Sequence, residues 1–195
     1  MLPSCRYVRQ MALGESFAGV LEAARVGAEW AWRALYADTA PHLLRYARAS
    51  RAPDPEDVVG ETFLRAVRGL GSFEGDERGF RAWLFTLARN RIVDEHRKLV
   101  RRRTEPLPVE VLAEIGPHAN AETEAMRALA EDRVRSILDR LTPDQRDVLL
   151  LRILGGLTIQ EVATVVRKKP GAVKALQARG IAAIRDEIEL GAVTL

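Results

Sequence analysis

The chain has 195 residues, 47% of them hydrophobic, which allows one domain or two small ones joined by a linker. Its single cysteine, Cys5, excludes an internal disulfide and a cysteine-based zinc site. No apolar run approaches the roughly 20 residues of a membrane-spanning helix, and no continuous apolar segment follows the first arginines. We therefore expect a cytoplasmic protein without a cleaved signal peptide, and the scarcity of aromatic residues favours an all-α fold.

Charge is distributed unevenly, although the formal net charge is only +3. Residues 78–103 carry nine basic side chains against two acids, and residues 140–185 carry nine against three. Residues 104–125 carry five acids and no lysine or arginine. Two cationic blocks around an acidic spacer indicate two contacts with one polyanion, such as a nucleic acid.

The first part of the chain is predicted to be a flexible tail, residues 1–15, followed by helices. Pro41 is expected to start a new helix or to kink one, because proline removes a helical hydrogen bond. From Ser16 onward the predicted core positions are Leu21, Val26, Trp30, Leu35, Leu43, Leu44 and Tyr46.

The segment Ala52 to Asp57 has the features of a helix start. Asp54 can cap the helix, Pro55 suits its first position, and Asp57 suits the positive end of its dipole. The helix should end at the glycines that follow Arg68. Its predicted buried positions are Val59, Phe63, Ala66, Val67 and Leu70, and its opposite face carries Asp57, Glu61, Thr62 and Arg65.

Residues 80–103 form an amphipathic helix with an unusually cationic side. Its apolar band consists of Phe80, Trp83, Leu84, Leu87, Ala88, Ile92 and Leu99. The other side carries Thr86, Arg89, Asn90, Val93 and Arg97, which is too polar for a core. Phe73 lies in the loop before this helix, flanked by glycines.

Aromatic side chains beside arginines are how proteins hold single-stranded nucleic acid. Phe73, Phe80 and Trp83 are therefore candidates for stacking on bases. Arg89, Asn90 and Arg97 are candidates for contacts with the backbone or with base edges. The alternative is an ordinary helix whose charged face is solvated and whose Phe80 and Trp83 pack in the core.

Residues 104–125 are predicted to be an extended linker between two domains, because they hold three prolines and no sustained helical period. Two capping boxes follow, one from Thr142 to Gln145 and one from Thr158 to Glu161. The apolar stripe ahead of them consists of Ala130, Val134, Ile137, Leu138 and Leu141.

The last quarter predicts a helix-turn-helix. The second capped helix is followed by a cationic turn, Arg167-Lys168-Lys169, and by a helix that begins at Pro170. The second helix of such a unit enters the major groove of duplex DNA. Its predicted buried positions are Val173, Leu176, Ile181 and Ile184, and the candidate DNA contacts are Lys168, Lys169, Ala172, Lys174, Ala175, Ala178 and Arg179. The alternative is a plain helical bundle whose Arg179 faces solvent.

Motifs for catalysis are missing from the sequence. His42, His96 and His118 lie in unrelated segments without metal-ligand spacing, and no phosphate-binding glycine motif or nucleophile motif occurs. We therefore predict a protein that is not an enzyme and that needs no metal or cofactor. A nucleic-acid-processing enzyme using Asp94 is the weaker alternative.

Three blocks of the sequence resemble a known family. DPEDVVGETFLRAV, WLFTLARNRIVDEHR and LTPDQRDVLLLRILGGLTIQEVA, followed by PGAVK, resemble a sigma-70 family factor of the extracytoplasmic function (ECF) group in their order and spacing. The resemblance spans residues 30–185. It implies two helical domains, region 2 (residues 16–103) and region 4 (residues 126–195), that bind core RNA polymerase and direct it to promoters.

The resemblance also implies roles for the candidate residues. Asp57, Glu61, Thr62 and Arg65 would contact the clamp of the largest polymerase subunit, and residues 142–154 the flap. Phe73, Trp83, Arg89, Asn90 and Arg97 would melt and read the −10 promoter element. Residues 170–185 would form the helix that reads the −35 element. An anti-sigma factor is a further partner that the family implies.

The chain departs from the family pattern at a few positions. Gly60 stands where glutamine is usual, at a cost of about 1 kcal/mol in helix propensity. Arg167 and Lys169 stand in a turn that usually holds glycine and a serine-like cap, and Gly180 replaces an alanine. These departures leave the −35 sequence and the affinity open. A stand-alone helix-turn-helix regulator that binds duplex DNA without polymerase is the main alternative.

Overall fold

The computed structural model describes residues 13–103, 134 and 136–192. The predicted tail up to residue 12, the predicted linker 104–125 and Ala130 lie outside these residues. The described residues are helical and contain no strand, as an all-α fold requires. The helices are α1 (Phe17–Arg25), α2 (Glu29–Ala49), α3 (Pro55–Gly69), α4 (Glu77–Arg103), α5 (Pro143–Ile153), α6 (Ile159–Val166) and α7 (Pro170–Ala192), with short 3-10 helices at Gly14–Ser16 and Leu70–Ser72.

The front domain, α1 to α4, packs around a core that α2, α3 and α4 share. Tyr46 and Phe85 are fully buried in it, with ring centroids 5.4 Å apart in an edge-to-face arrangement. The start of α3 follows the prediction, because the Asp54 carboxylate accepts a hydrogen bond of 2.8 Å from the amide of Asp57. The other fully buried side chains of this core include Leu35, Leu43, Val58, Leu70 and Leu84.

The rear domain, α5 to α7, is assembled from the predicted capped helices. Thr142 and Thr158 each form both hydrogen bonds of a capping box, which confirms the two predicted helix starts. Between α6 and α7 the chain turns at Arg167, whose φ is +56°. The core of this domain includes Val148, Leu151, Val162 and Val173, all of them fully buried.

Several predicted core positions are wrong. Val26 and Trp30 are exposed, because they flank the turn at Gly27 (φ +81°) between α1 and α2. Val67 is 53% exposed on the outer side of α3. Leu99 and Val134 are exposed too. Helical spacing identified an apolar position in each case, but the neighbouring helices do not reach it.

Pro41 neither starts a helix nor divides one, since α2 runs continuously from Glu29 to Ala49 around it. The missing proline N–H leaves the carbonyl of Ala37 without a helical donor. Both Ala37 and Pro41 are exposed, so water can hydrogen-bond that carbonyl.

The two domains pack against each other along one side of α4. Arg78, Phe85 and Arg89 are spaced seven and four residues apart, which places them on one side of the helix. Arg78 pairs with Glu161 at 3.3 Å, and Arg89 pairs with Asp147 at 2.8 Å. Beside Phe85 the rear domain brings in a glycine, Gly155, where an added Cβ would lie 3.4 Å from the ring. The front and rear cores thereby form one continuous hydrophobic cluster.

Candidate nucleic-acid and polymerase interfaces

Phe73 and Trp83 form a stacked pair, called here the aromatic pair, at the surface of the front domain. Their ring centroids are 5.2 Å apart and their planes differ by 22°. Both side chains are half-buried. Phe80 lies beneath them, 2% exposed, with its ring centroid 5.5 Å from Phe73 and 5.8 Å from Trp83. Phe80 is therefore a core residue, whereas the aromatic pair retains exposed surface on which a base could stack.

Two glycines make the aromatic pair possible. A Cβ at Gly69 would lie 3.0 Å from Cζ2 of Trp83, so any larger residue there would displace the indole. Gly75 has a φ of +153°, and a Cβ on it would lie 3.1 Å from Cζ of Phe73. Phe73 itself has an extended backbone after the 3-10 turn Leu70–Ser72. The rings are thus held by the loop's backbone and not only by their own contacts.

A line of predicted contacts runs along α4 from the aromatic pair. Trp83, Asn90 and Arg97 follow one another at intervals of seven residues, which places them nearly in line along the helix. The Arg97 side chain is 76% exposed, and its guanidinium lies 3.9 Å from Asp94. A groove of about 680 Å³ is lined by Val93, His96, Arg97 and Arg101. This side of α4 can therefore accept an anionic strand.

Arg89 occupies a different position from the other predicted −10 contacts. Its Nε donates a hydrogen bond of 2.8 Å to Oδ2 of Asp147 in the rear domain, and both side chains are about four-fifths buried. Burial raises the pKa of Asp147, and the Arg89 charge offsets part of that rise. In this arrangement Arg89 cannot bind DNA without leaving Asp147.

His42 also lies close to the rear domain. Burial, together with the nearby charges of Arg45 and Arg81, lowers its pKa to about 4. A hydrogen bond with the backbone of Leu154 opposes this shift. The imidazole is therefore neutral at physiological pH and packs as an uncharged group.

The recognition face of α7 consists of five exposed residues, Ala172, Lys174, Ala175, Ala178 and Arg179. The helix turns its other side to the core through Val173 and Leu176, as predicted. Ile181 and Ile184, also predicted to be buried, are only half-buried. In the turn before α7, Lys169 is exposed and Lys168 lies 2.9 Å from Asp144. The structure thus brings these candidates together at one edge of the rear domain.

The structure explains two of the departures from the family pattern. Arg167 takes the left-handed conformation that glycine adopts most readily, which accounts for the glycine that is usual in this turn. Gly180 is buried against α5, where an added Cβ would lie 2.8 Å from Cδ1 of Leu149. Glycine at position 180 therefore allows α7 to approach α5 closely. At Gly60 no atom lies within 4 Å of an added Cβ, so glutamine would fit there.

Three of the four residues predicted on the polymerase-binding face of α3 reach the surface, and the fourth, Thr62, does not. Thr62 is 1% exposed, and its hydroxyl donates a hydrogen bond of 2.7 Å to the carbonyl of Val58 in the same helix. Its prediction as a surface contact is therefore wrong. Asp57, Glu61 and Arg65 reach the surface. Asp57 also accepts a hydrogen bond of 2.7 Å from Arg91 of α4.

Apolar residues that sequence analysis missed surround this face. Tyr36, Leu64 and Val67 are each about half exposed. A shallow groove of about 350 Å³ lies between α2 and α3 and includes Tyr36, Phe63 and Val67 in its lining. The signal was present in the sequence, since Leu64 and Val67 are three residues apart and could have indicated a second apolar side of α3.

Within the part of the chain that the structure describes, no group of three or more His, Cys, Asp or Glu side chains could hold a metal ion. Among those same residues, none of the helices is both long enough and apolar enough to cross a membrane.

Comparison with known proteins agrees with the two-domain arrangement. The family profiles of sigma-70 region 2 and of sigma-70 region 4 match residues 35–103 and 131–184. The ECF RNA polymerase sigma factor SigD of Mycobacterium tuberculosis is 31% identical over 184 residues, which cover 90% of this chain and 85% of SigD. The ECF RNA polymerase sigma factor BldN of Streptomyces coelicolor is 37% identical over 146 residues, or 75% of this chain. Those residues are 54% of BldN, so the chain spans about half the length of that relative.

Solved structures of similar fold are also known. CnrH, solved in complex with the cytosolic domain of CnrY, aligns with a TM-score of 0.67 at 26% identity, over 90% of this chain and 99% of CnrH. The sigma factor RpoE from Bartonella quintana, solved with the anti-sigma factor NepR, aligns with a TM-score of 0.55 at 19% identity, over 89% of this chain and 94% of RpoE. The latter likeness concerns the fold alone. Together with the sequence matches, these findings confirm the predicted resemblance: the chain belongs to the sigma-70 family of RNA polymerase sigma factors, in its ECF group.

Proposed function

We propose that this chain binds core RNA polymerase and directs it to promoters, with region 2 melting and reading the −10 element and region 4 reading the −35 element. The observation that carries the proposal is the half-exposed aromatic pair beside the cationic side of α4. Base stacking needs separated strands, which a protein that reads only duplex DNA does not provide. The chain would act in the cytoplasm, where polymerase and chromosome are, and without a catalytic site of its own.

In the front domain, Trp83 and Phe73 would stack on bases of the opened −10 element. Asn90 and Arg97, in line with Trp83 along α4, would then hydrogen-bond the backbone or the base edges of the same strand. Arg89 would join them once it leaves Asp147.

In the rear domain, the recognition face of α7 would enter the major groove of the −35 element. Arg179 and Lys174 can donate to phosphates or to guanine, and the alanines permit close approach to the base edges. Lys168 and Lys169 would bind the phosphate backbone beside the groove, Lys168 after releasing Asp144. The recognition face and Lys169 are exposed in the structure, so their binding needs no rearrangement of the helices of the rear domain.

Polymerase would bind α3 through Asp57, Glu61 and Arg65. The half-exposed apolar residues Tyr36, Leu64 and Val67 border this charged set and would add buried apolar area to the contact. Protein interfaces commonly combine apolar and charged side chains in this way.

The contact between the two domains must open for DNA to reach Arg89. Because Arg78, Phe85 and Arg89 all face the rear domain, separating the domains exposes that entire side of α4. An anti-sigma factor that holds the domains together would keep the chain inactive, and we propose such a protein as a further partner.

Purified core RNA polymerase provides the test. The folded chain should co-elute with core enzyme at low salt and should give promoter-dependent run-off transcripts on genomic fragments. Absence of core binding by chain shown to be folded would end the proposal. The exposed recognition face of α7 favours one alternative, a stand-alone regulator of duplex DNA, which predicts a footprint without polymerase. A footprint that appears only when polymerase is present would exclude that alternative.

A further inference from the structure

We propose that the segment 13–25, which lies ahead of the region 2 match at residues 35–103, holds the aromatic loop (residues 70–77) in the conformation that melts the −10 element, and that Arg25 is its main positioning residue. The inference rests on the proposed function, because it assigns a role within −10 melting. It concerns residues that lie outside the stretch matched by the region 2 family profile.

Three contacts join this segment to the aromatic loop and to the first turn of α4. Nη2 of Arg25 donates a hydrogen bond of 2.5 Å to the carbonyl of Phe73. The amides of Leu13 and Gly14 donate bonds of 2.9 and 3.1 Å to the two carboxylate oxygens of Glu77, where α4 begins. The segment therefore binds the loop on both sides of its bend.

The third contact is apolar. The Phe17 ring of α1 is 6% exposed and packs on Phe80, with ring centroids 5.7 Å apart. Phe80 in turn supports both members of the aromatic pair. Movement of α1 would thus be transmitted to Phe73 and Trp83 through a buried ring.

The segment is itself fixed to the body of the front domain. Nε1 of Trp32 donates a hydrogen bond of 3.1 Å to the carbonyl of Ala24, one residue before Arg25. Val20, Leu21 and Ala24 are buried, so α1 is a packed helix and not a loose extension. A fixed helix can hold a loop in place, whereas a mobile one cannot.

Phe73 is the natural point for such a contact. Its backbone is extended between a 3-10 turn and Gly75, and the carbonyl that Arg25 binds belongs to the residue whose ring stacks on Trp83. Charge-assisted hydrogen bonds are among the stronger non-covalent contacts that a side chain can make with backbone. Loss of the hydrogen bond between Arg25 and the Phe73 carbonyl frees Phe73 to turn away from Trp83. The surface for base stacking is then weaker before DNA binds.

Arg25 also pairs with Glu22 at 2.5 Å in its own helix, and this offers a matched control. If Arg25 only stabilises α1, Glu22→Gln should reproduce the effect of Arg25→Ala. If Arg25 acts through Phe73, Glu22→Gln should behave like wild type, and Arg25→Lys, which keeps a cationic donor, should restore part of the function.

The test uses full-length chain with core polymerase and a promoter found by the run-off assay, carrying a fluorescent base analogue in its −10 element. We expect Arg25→Ala to slow strand opening roughly tenfold, with the affinity for core and for closed promoter within about twofold of wild type. Hydrogen exchange of the polymerase-free variant should become faster in residues 70–77 and stay unchanged in α7.

The outcomes separate the inference from the proposed function. Opening by Arg25→Ala at the wild-type rate, or equal slowing by Glu22→Gln, would overturn the role of Arg25 while leaving the sigma-factor function intact. If wild-type chain with core opens no promoter, the proposed function falls and this inference falls with it. Slow opening by Arg25→Ala, recovery by Arg25→Lys and normal opening by Glu22→Gln would together support it.

Discussion

The two surfaces proposed to bind DNA are in different states within one molecule. The recognition face of α7 is fully exposed and could meet a duplex as it stands. On α4 one side is open, with Trp83, Asn90 and Arg97, and another is covered by the rear domain through Arg78, Phe85 and Arg89. The comparison indicates that reading of intact duplex requires no rearrangement, whereas melting requires the domains to separate.

This difference arises because the rear surface binds duplex DNA, whereas the front surface binds unpaired bases. A helix that enters the major groove needs only exposed donors and small residues along one side. A surface that holds unpaired bases needs aromatic area, and exposed aromatic area tends to be covered in the absence of its ligand. Packing of the rear domain covers part of the front surface, the side of α4 that carries Arg78, Phe85 and Arg89.

Replacing Trp83 should have the largest effect and should affect only the front surface. Loss of one base-stacking ring costs about 1–3 kcal/mol, so Trp83→Ala should slow open-complex formation roughly 5- to 160-fold while closed-complex binding changes little. Fluorescence of a base analogue in the −10 element measures opening. Trp30→Ala is the matched control, because Trp30 is exposed in the first turn of α2. If Trp83→Ala instead unfolds the front domain, the indole is a core residue and not a surface for base stacking.

Replacing Arg179 should affect only the rear surface. Its removal from the recognition face should weaken binding to the upstream promoter element about tenfold and leave core binding unchanged. Promoter profiling with polymerase checks this. Arg185→Ala, an exposed change further along the same helix, should have little effect. An unchanged promoter profile for Arg179→Ala would contradict the assignment of α7.

Weakening the contact between the domains should make the front surface more accessible. Asp147→Asn removes the charge that holds Arg89, and we expect the equilibrium to shift about fivefold toward separated domains. Small-angle X-ray scattering of the free chain should report a larger radius of gyration. Asp144→Asn is the control, because Asp144 pairs with Lys168 inside the rear domain. Equal scattering curves for wild type and Asp147→Asn would show that this pair does not hold the domains.

Acidification should weaken the folded protein through His42. Its pKa is about 4 in the fold and near 6.5 when unfolded, so the unfolded chain binds the proton more tightly. The stability that neutral His42 provides is present above pH 6.5 and is lost as the pH falls toward 4. Denaturant titrations of wild type and His42→Gln across this range isolate the effect, since the raised pKa values of Asp38 and Asp147 act in both proteins. Parallel pH profiles would contradict the assignment.

The smallest effect is expected at the turn before α7, and it concerns stability alone. Arg167 has a φ of +56°, which costs an L-residue about 1–2 kcal/mol. Glycine removes this strain, but it loses more conformational entropy on folding, which offsets part of the gain. Arg167→Gly should therefore raise the free energy of unfolding by about 0.5–1 kcal/mol. Urea denaturation measures it. A destabilised variant would mean that the Arg167 side chain contributes contacts that outweigh the strain.

Local chemistry was the part of the fold that the sequence predicted best. The starts of α3, α5 and α6 follow from Asp54, Thr142 and Thr158, because a cap and its amide partner lie within three residues of each other. The exposed side of α7 was also predictable from local sequence, because helical spacing separates Val173 and Leu176 from the recognition face.

Features that depend on distant parts of the chain were not predictable. Thr62 looked like a surface residue, but the packing of α2 and α4 on α3 decides which side of α3 is buried. Its hydroxyl bonds to Val58 within the helix, so it can be buried without a further partner. The Arg89–Asp147 pair joins residues 58 positions apart, and no local pattern could have indicated it.

Strand opening at the −10 element tests the central claim most directly. In a purified system with core polymerase, the wild-type chain should open the −10 region of its promoter, core enzyme alone should not, and Trp83→Ala should bind the promoter but open it slowly. If the chain instead occupies intact promoter DNA without polymerase, and adding core enzyme opens nothing, the front domain is not a melting surface and the account is wrong.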